Sequence, residues 1–295
     1  SFAFSARIAG SILIGLTALD TASCFGLADL RTPEFQKATP AEIASMRVRG
    51  TAALEAIGAA HGLREYRRWQ SGRETLEIVL IDDWASGFLR GFTPLPEDRT
   101  RLLLHITAAP QTASSPAQTI LAYPLGSGET VPLPGAGDSD PLRARLHFGI
   151  RPHGDAAPGA FYADPARPDD NRRGADADDV RVYLESLWLY LSLALQLVAD
   201  PAARTDSYAL AAASAPGPEK QSAGSSEQKF ERLLVTPGGS APAETRDQFL
   251  LWYDSGSRLI RFVEFTYRDV FSFYQGALVY PADANSGSFP DGLPA

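Results

Sequence analysis

Cysteine is nearly absent: Cys24 is the single one in a chain of 295 residues. An internal disulfide is therefore impossible, and a zinc site built on cysteines is excluded. Histidine is scarce as well, and His61, His105, His147 and His153 are scattered with no pair four residues apart. Basic residues fall short of acidic ones, 27 against 35, for a net charge of −8. That argues against a nucleic-acid phosphate backbone as the main partner, because no Lys/Arg-rich face supports counterion release. No nucleophile elbow (G-x-S-x-G), H-E-x-x-H zinc motif, phosphate-binding P-loop or G-x-G-x-x-G fingerprint occurs. Asp82-Asp83 before Trp84 is the nearest thing to a paired-carboxylate site, and a strand end beside a turn explains it equally well. No catalytic residue, metal or cofactor is expected.

What is present is an ordinary globular composition, 44% hydrophobic and 21% charged. A chain of this length buries one large core or two modest ones. Its Ala, Arg, Asp and Pro usage, with few lysines, resembles that of GC-rich bacterial genomes.

The N-terminus reads as an export signal. Arg7 precedes an apolar run over 8–19, which falls short of the ~20 residues that span a bilayer. Thr21-Ala22-Ser23-Cys24 then resembles a bacterial lipobox, in which cleavage precedes an acylated cysteine, although Thr21 stands where Leu or Val is usual. Three outcomes are open: acylation of Cys24 after loss of 1–23, plain signal cleavage nearby, or an uncleaved anchor over 8–28. In each the bulk of the protein lies outside the cytoplasm. The expected location is the periplasm, attached to the inner or outer membrane through the N-terminus.

Residues 24–38 read as a tether. Thr39-Pro40-Ala41-Glu42 is a helix start, with Thr39 as N-cap, Pro40 at the first helical position and Glu42 closing a capping box. Ile43, Met46, Leu54, Ile57 and His61 follow at helical spacing, and Gly62 is the expected cap. From Glu74 the period changes to two. Strands are expected over 75–84, 99–107, 118–123 and 142–150, the last with Leu142, Ala144, Leu146, Phe148 and Ile150 on one face. Residues 153–179, rich in Asp, Pro, Gly and Ala, read as a long loop. Asp169, Asn171 and Gly174 echo a calcium loop, but Arg173 and Val180 occupy ligand positions.

Residues 179–199 predict a helix apolar on nearly every side, with Arg181, Glu185, Ser192 and Gln196 forming one narrow polar stripe. Those interruptions speak against a membrane span and for a helix covered by protein. After a flexible 214–228, strands are expected over 230–235, 247–253, 258–270 and 271–280, with a turn at Asp254-Ser255-Gly256-Ser257. The aromatic residues Trp84, Trp188, Trp252, Phe262 and Phe265 are core by default.

A helix ending EAIGAAHGLREYRRW, a strand ending IDDW, the mid-chain VRVYLESLWLYLSLALQLV helix and the closing DQFLLWYDSGSRLIRFVEFTYRD hairpin resemble the LolA-like superfamily. Its members include the periplasmic lipoprotein carrier, its outer-membrane lipoprotein partner and uncharacterised secreted relatives. The resemblance runs over about 40–295 as an order of elements, without a diagnostic motif. It implies an α+β fold: a strongly curved antiparallel β-sheet, an incomplete barrel, wrapped around packed helices in one domain over 39–295. Between helix and sheet it implies an apolar cavity for acyl chains. The 153–179 loop departs from the carrier, so lipoprotein carriage does not transfer, whereas ligand binding of that kind is expected.

The expected cavity is lined by Trp188, Leu191, Leu195, Trp252 and Phe262. The expected function is a non-enzymatic, membrane-tethered binder of a lipid or other hydrophobic group. The alternative is an accessory subunit docking on a larger membrane-protein complex with no ligand of its own.

Overall fold

The computed structural model describes residues 29–72, 75–83, 93–95, 97, 99–108, 119–126, 129, 142, 144–153, 156–214, 229–237, 246–267 and 271–279. The signal segment 1–23, Cys24, Trp84 and the expected flexible stretch from 215 to 228 lie outside them. The described chain groups into two compact units, one over 66–189 and one over 29–65 with 190–279.

The first unit holds a six-stranded antiparallel sheet whose strands lie in chain order. They are β1 (Thr75–Asp83), β2 (Arg99–Thr107), β3 (Thr119–Leu125), β4 (His147–His153), β5 (Ala156–Ala163) and β6 (Arg172–Arg173). Register places Ile78, Leu104, Ala122, Phe148 and Tyr162 in one cross-strand row. Leu102, Leu104, Ile106 and Phe148 on that face are almost wholly buried. Their burial is what selects this register, since a slip of one residue would turn them all outward. Helix α4 (Asp178–Ala199; numbered after α1 to α3, given below) enters this unit with Asp178 and Asp179 in its first turn, favourable against the helix dipole. Its Tyr183 ring meets Phe148 edge-on at 6.1 Å.

Two expectations change here. Leu142 is not in line with Phe148 and Ile150, because the strand begins at His147. Leu142 instead packs with Leu103, Tyr123 and Leu125, which occupy the sheet's opposite face. The 153–179 stretch, expected as a loop, contains β5 and β6 and two 3-10 turns, Pro168–Asp170 and Gly174–Ala177. Ala156-Ala-Pro-Gly-Ala has weak strand propensity, and pairing with β4 overrides it, from His147↔Ala163 to His153↔Ala156.

The second unit holds a five-stranded antiparallel sheet, ordered β11-β10-β9-β8-β7. These are β7 (Ser207–Ser214), β8 (Lys229–Val235), β9 (Phe249–Tyr253), β10 (Ile260–Tyr267) and β11 (Phe271–Val279). Asp254 Oδ1 accepts from the backbone N–H of Gly256 at 3.0 Å and of Ser257 at 2.7 Å, which makes the expected turn between β9 and β10. The unit also contains α1 (Pro33–Lys37), α2 (Pro40–Ala60) and α5 (Pro201–Thr205), and helix α3 (Leu63–Ser71) follows α2.

The α2 cap forms as read: Glu42 N–H donates to Thr39 Oγ1 at 3.3 Å and Thr39 N–H to Glu42 Oε2 at 2.7 Å. Gly62 takes φ +83°, the left-handed conformation that ends such a helix. Buried His61 caps the helix and accepts the Ile260 N–H on Nε2 at 3.1 Å. Gly50 is where α2 crosses β7, so close that a Cβ would overlap the Ser207 carbonyl. Eight residues on, a Cβ at Gly58 would come within 2.7 Å of Val198 Cγ2 on α4.

The α+β class and the antiparallel pairing are as expected. One continuous sheet is not found: among the described residues the strands form two sheets, and neither closes into a barrel. The physical reason is local pairing. Each sheet is a run of neighbours in sequence, and the chain passes through α4 and α5 between the two runs.

Candidate functional site

One face of the second sheet brings apolar and polar side chains together. Register sets Leu210, Arg232, Trp252 and Phe262 side by side across β7 to β10. The neighbouring row is Tyr208, Leu234, Leu250 and Glu264. Trp252 and Phe262 meet edge-on at 6.4 Å, and Trp252 Nε1 donates to Glu264 Oε1 at 3.0 Å. The hydrogen bond satisfies the indole, so the ring is buried without an unpaired donor.

Arg232 is the buried cation of this face. Its side chain is 10% exposed, with the guanidinium carbon 5.4 Å from the centroid of the Trp252 ring. Nε donates to the Ala211 carbonyl at 2.6 Å. The remaining fork reaches Glu34 Oε1 at 3.3 Å. A hydrogen bond from the Thr32 side chain, followed by the nearby Arg232 charge, holds the Glu34 carboxyl below its ordinary range.

Glu34 belongs to a segment that lies across this face. Residues 29–37 form the second part of the stretch read as a tether, and here they are seated. Leu30 is 5% exposed among Tyr208, Leu210, Phe230, Leu234, Leu250 and Trp252. Phe35 on α1 meets Tyr208 edge-on at 5.0 Å. Gln248 clamps the entry, accepting the Leu30 N–H on Oε1 at 2.6 Å and donating from Nε2 to Asp29 Oδ1 at 3.2 Å. Burial alone would raise the Asp29 pKa, but hydrogen bonds from Arg31 and Gln248 outweigh it and bring it down to about 2. Ile43 and Met46 of α2 pack on the same cluster.

The residues expected to line one cavity are distributed as follows. Trp252 and Phe262 stand together in the face just described. Leu195, fully buried, and Leu191, half-buried, share a side of α4 in the second unit. Trp188 belongs to the first unit, where its ring lies 5.7 Å from that of Trp69 on α3. The helix that carries them is long and apolar enough to cross a membrane by length and composition, yet Leu184, Leu187, Leu193, Leu195 and Val198 are buried inside the protein.

Arg232, Leu30 and Phe35 are not legible as site residues in the sequence. In Phe-Glu-Arg-Leu-Leu-Val both alternating faces of β8 carry one charge, so the pattern leaves open which charge is buried. Leu30 meets a partner 218 residues away, which no local signal announces.

The first sheet carries a second polar row. His105 Nε2 lies 3.6 Å from Glu77 Oε1, with side chains 12% and 10% exposed. Tyr123 is flanked by the His105 ring at 5.2 Å and the His147 ring at 5.9 Å. His147 Nδ1 is 2.8 Å from the Arg145 carbonyl. Among the described residues no three His, Cys, Asp or Glu side chains come together to hold a metal ion.

No family model and no curated protein matches the chain. Among solved structures, the protein is similar to a domain assigned as an outer membrane lipoprotein-sorting protein from Vibrio parahaemolyticus. The two are 12% identical, with a TM-score of 0.24, and the similarity covers 70% of this chain and 72% of that one.

Proposed function

We propose that the protein is an exported, non-enzymatic binder of a hydrophobic group, an acyl chain or other lipid, held at the membrane through an acylated Cys24. Residues 39–295 act as one LolA-like domain in this reading. The observation that carries it is the seating of Leu30 and Phe35 on the apolar face around Trp252 and Tyr208. A short segment with one aliphatic and one aromatic side chain lies there, and its carboxylate meets the arginine in that face. An acyl chain with an anionic end matches the same pattern of groups. The segment then acts as a resident competitor, and ligand affinity is reduced by the fraction of time it stays seated.

Titration of the full chain with a fluorescent fatty acid tests this. The wild type binds the probe, Leu30→Ala with Phe35→Ala binds it more tightly, and Trp252→Ala binds it more weakly. Absence of probe binding by all three proteins overturns the binder, and the docking subunit becomes the better account. The attachment is tested separately. Cys24→Ser releases the protein from membranes, because an acyl chain contributes ~0.8 kcal/mol per buried CH₂. Recovery of residues 1–23 intact from the native membrane would instead leave an uncleaved anchor.

A further inference from the structure

Helix α3 has two opposed faces. Tyr66 and Trp69 are each 3% exposed, and their rings lie 5.8 Å apart. Arg64, Arg67 and Arg68 are exposed, the Arg64 side chain 92% so. At 3.6 residues per turn, positions 64, 67, 68 and 71 fall within a stripe roughly 100° wide, opposite the buried rings.

The stripe is under-neutralised. Arg64 lies 2.6 Å from Glu65, whose own side chain is only 18% exposed beneath it. Among the described residues no carboxylate reaches Arg67 or Arg68. Some arginines elsewhere do hold one, as in Arg172 with Asp179 at 2.9 Å and Arg246 with Asp206 at 2.6 Å. A cationic stripe left open in a chain of net charge −8 is a local complement to an anion.

The geometry points to α3 as a peripheral docking surface, whose Arg64, Arg67 and Arg68 rest on the phosphates of an anionic phospholipid bilayer. The guanidinium fork matches phosphate oxygens in pairs. Screening over a Debye length of about 8 Å lets a local patch act despite the acidic remainder. A single strand of nucleic acid is disfavoured, because both aromatic rings of the helix face inward and leave no platform for base stacking. Inward rings also keep the contact at headgroup level. This surface is independent of the ligand site on the second sheet.

Co-sedimentation of the full chain with vesicles tests it, comparing phosphatidylcholine alone with phosphatidylcholine containing phosphatidylglycerol. The wild type gains binding when phosphatidylglycerol is present, and high salt removes the gain. The triple variant Arg64→Gln, Arg67→Gln, Arg68→Gln loses about 100-fold of that partitioning, at about fivefold per arginine. A control with equal charge change at the exposed Arg49, Arg151 and Arg173, each to Gln, retains most of it. If the triple variant does not fold, Arg67→Gln alone shows the fivefold loss. Unchanged binding by a folded variant, or equal loss by the control, overturns the proposal. Retention on immobilised polyglutamate without any preference for phosphatidylglycerol also overturns it and assigns the stripe to an acidic protein.

Discussion

The Tyr183 hydroxyl donates to Asp82 Oδ2 at 2.6 Å, with both residues buried. The bond ties the end of β1 to the second turn of α4, across 101 residues of chain. Asp82 belongs to the acidic pair nearest to a paired-carboxylate site in the sequence, and a tyrosine from the core helix is what meets it. Tyr183→Phe removes the donor and is expected to cost about 1–3 kcal/mol. Equilibrium urea denaturation measures the loss, and Asp82→Asn, which keeps an acceptor, is expected to cost less.

Alkaline pH weakens the fold. Burial pushes Tyr66 up to about 12 and Tyr183 well above its ordinary value, the latter helped by Asp82, and it raises Tyr190 and Tyr253 as well. In the unfolded chain these phenols ionise near pH 10, so between pH 10 and about 12 the unfolded state has released protons that the folded state still holds. Stability is complete below pH 10 and falls as pH rises through that window. Urea midpoints measured across it are expected to decline less steeply in Tyr66→Phe than in the wild type.

Acid acts on the segment over the second sheet. The Asp29 carboxyl, at about 2 rather than 3.8, favours the folded state above pH 3.8, and that contribution disappears as pH falls towards about 2. A stability difference between wild type and Asp29→Asn is therefore expected at neutral pH and is expected to vanish in acid. Leu30→Ala, at a buried site, is expected to cost about 2–5 kcal/mol by the same measurement. No loss at Leu30 would mean that the segment is not held as described.

Gly50→Ala places a methyl group against the Ser207 carbonyl, so α2 and β7 must part. A cost of about 1–3 kcal/mol is expected from the overpacking. Gly159→Ala, where a Cβ would meet nothing nearer than the Arg151 carbonyl at 4.0 Å, serves as the tolerated comparison.

What the sequence disclosed was local in origin. The α2 cap is written within four consecutive residues, and β2 matches its expected bounds of 99–107 because Leu102, Leu104 and Ile106 alternate after the charged Arg99 and Arg101. Strand β5 has no local signature, because its Ala-Pro-Gly stretch becomes a strand only through β4. Alternation places Leu142 on the face of Phe148 only if the strand already runs there, and it begins at His147. The site was legible in part. Trp252 and Phe262 stood out as bulky residues on neighbouring strands, whereas Leu30, Glu34 and Arg232 acquire their meaning from contacts about 200 residues apart.

The seating of residues 29–37 also sets a length. From Cys24 to Asp29 there are five Cα steps, which span at most about 17 Å when fully extended. An acyl group on Cys24 would thus keep the second sheet on a short leash at the bilayer. Releasing the segment as far as Thr39 lengthens the leash to fifteen steps, about 50 Å. Occupancy of one apolar face would then govern how far from the membrane surface the protein can travel.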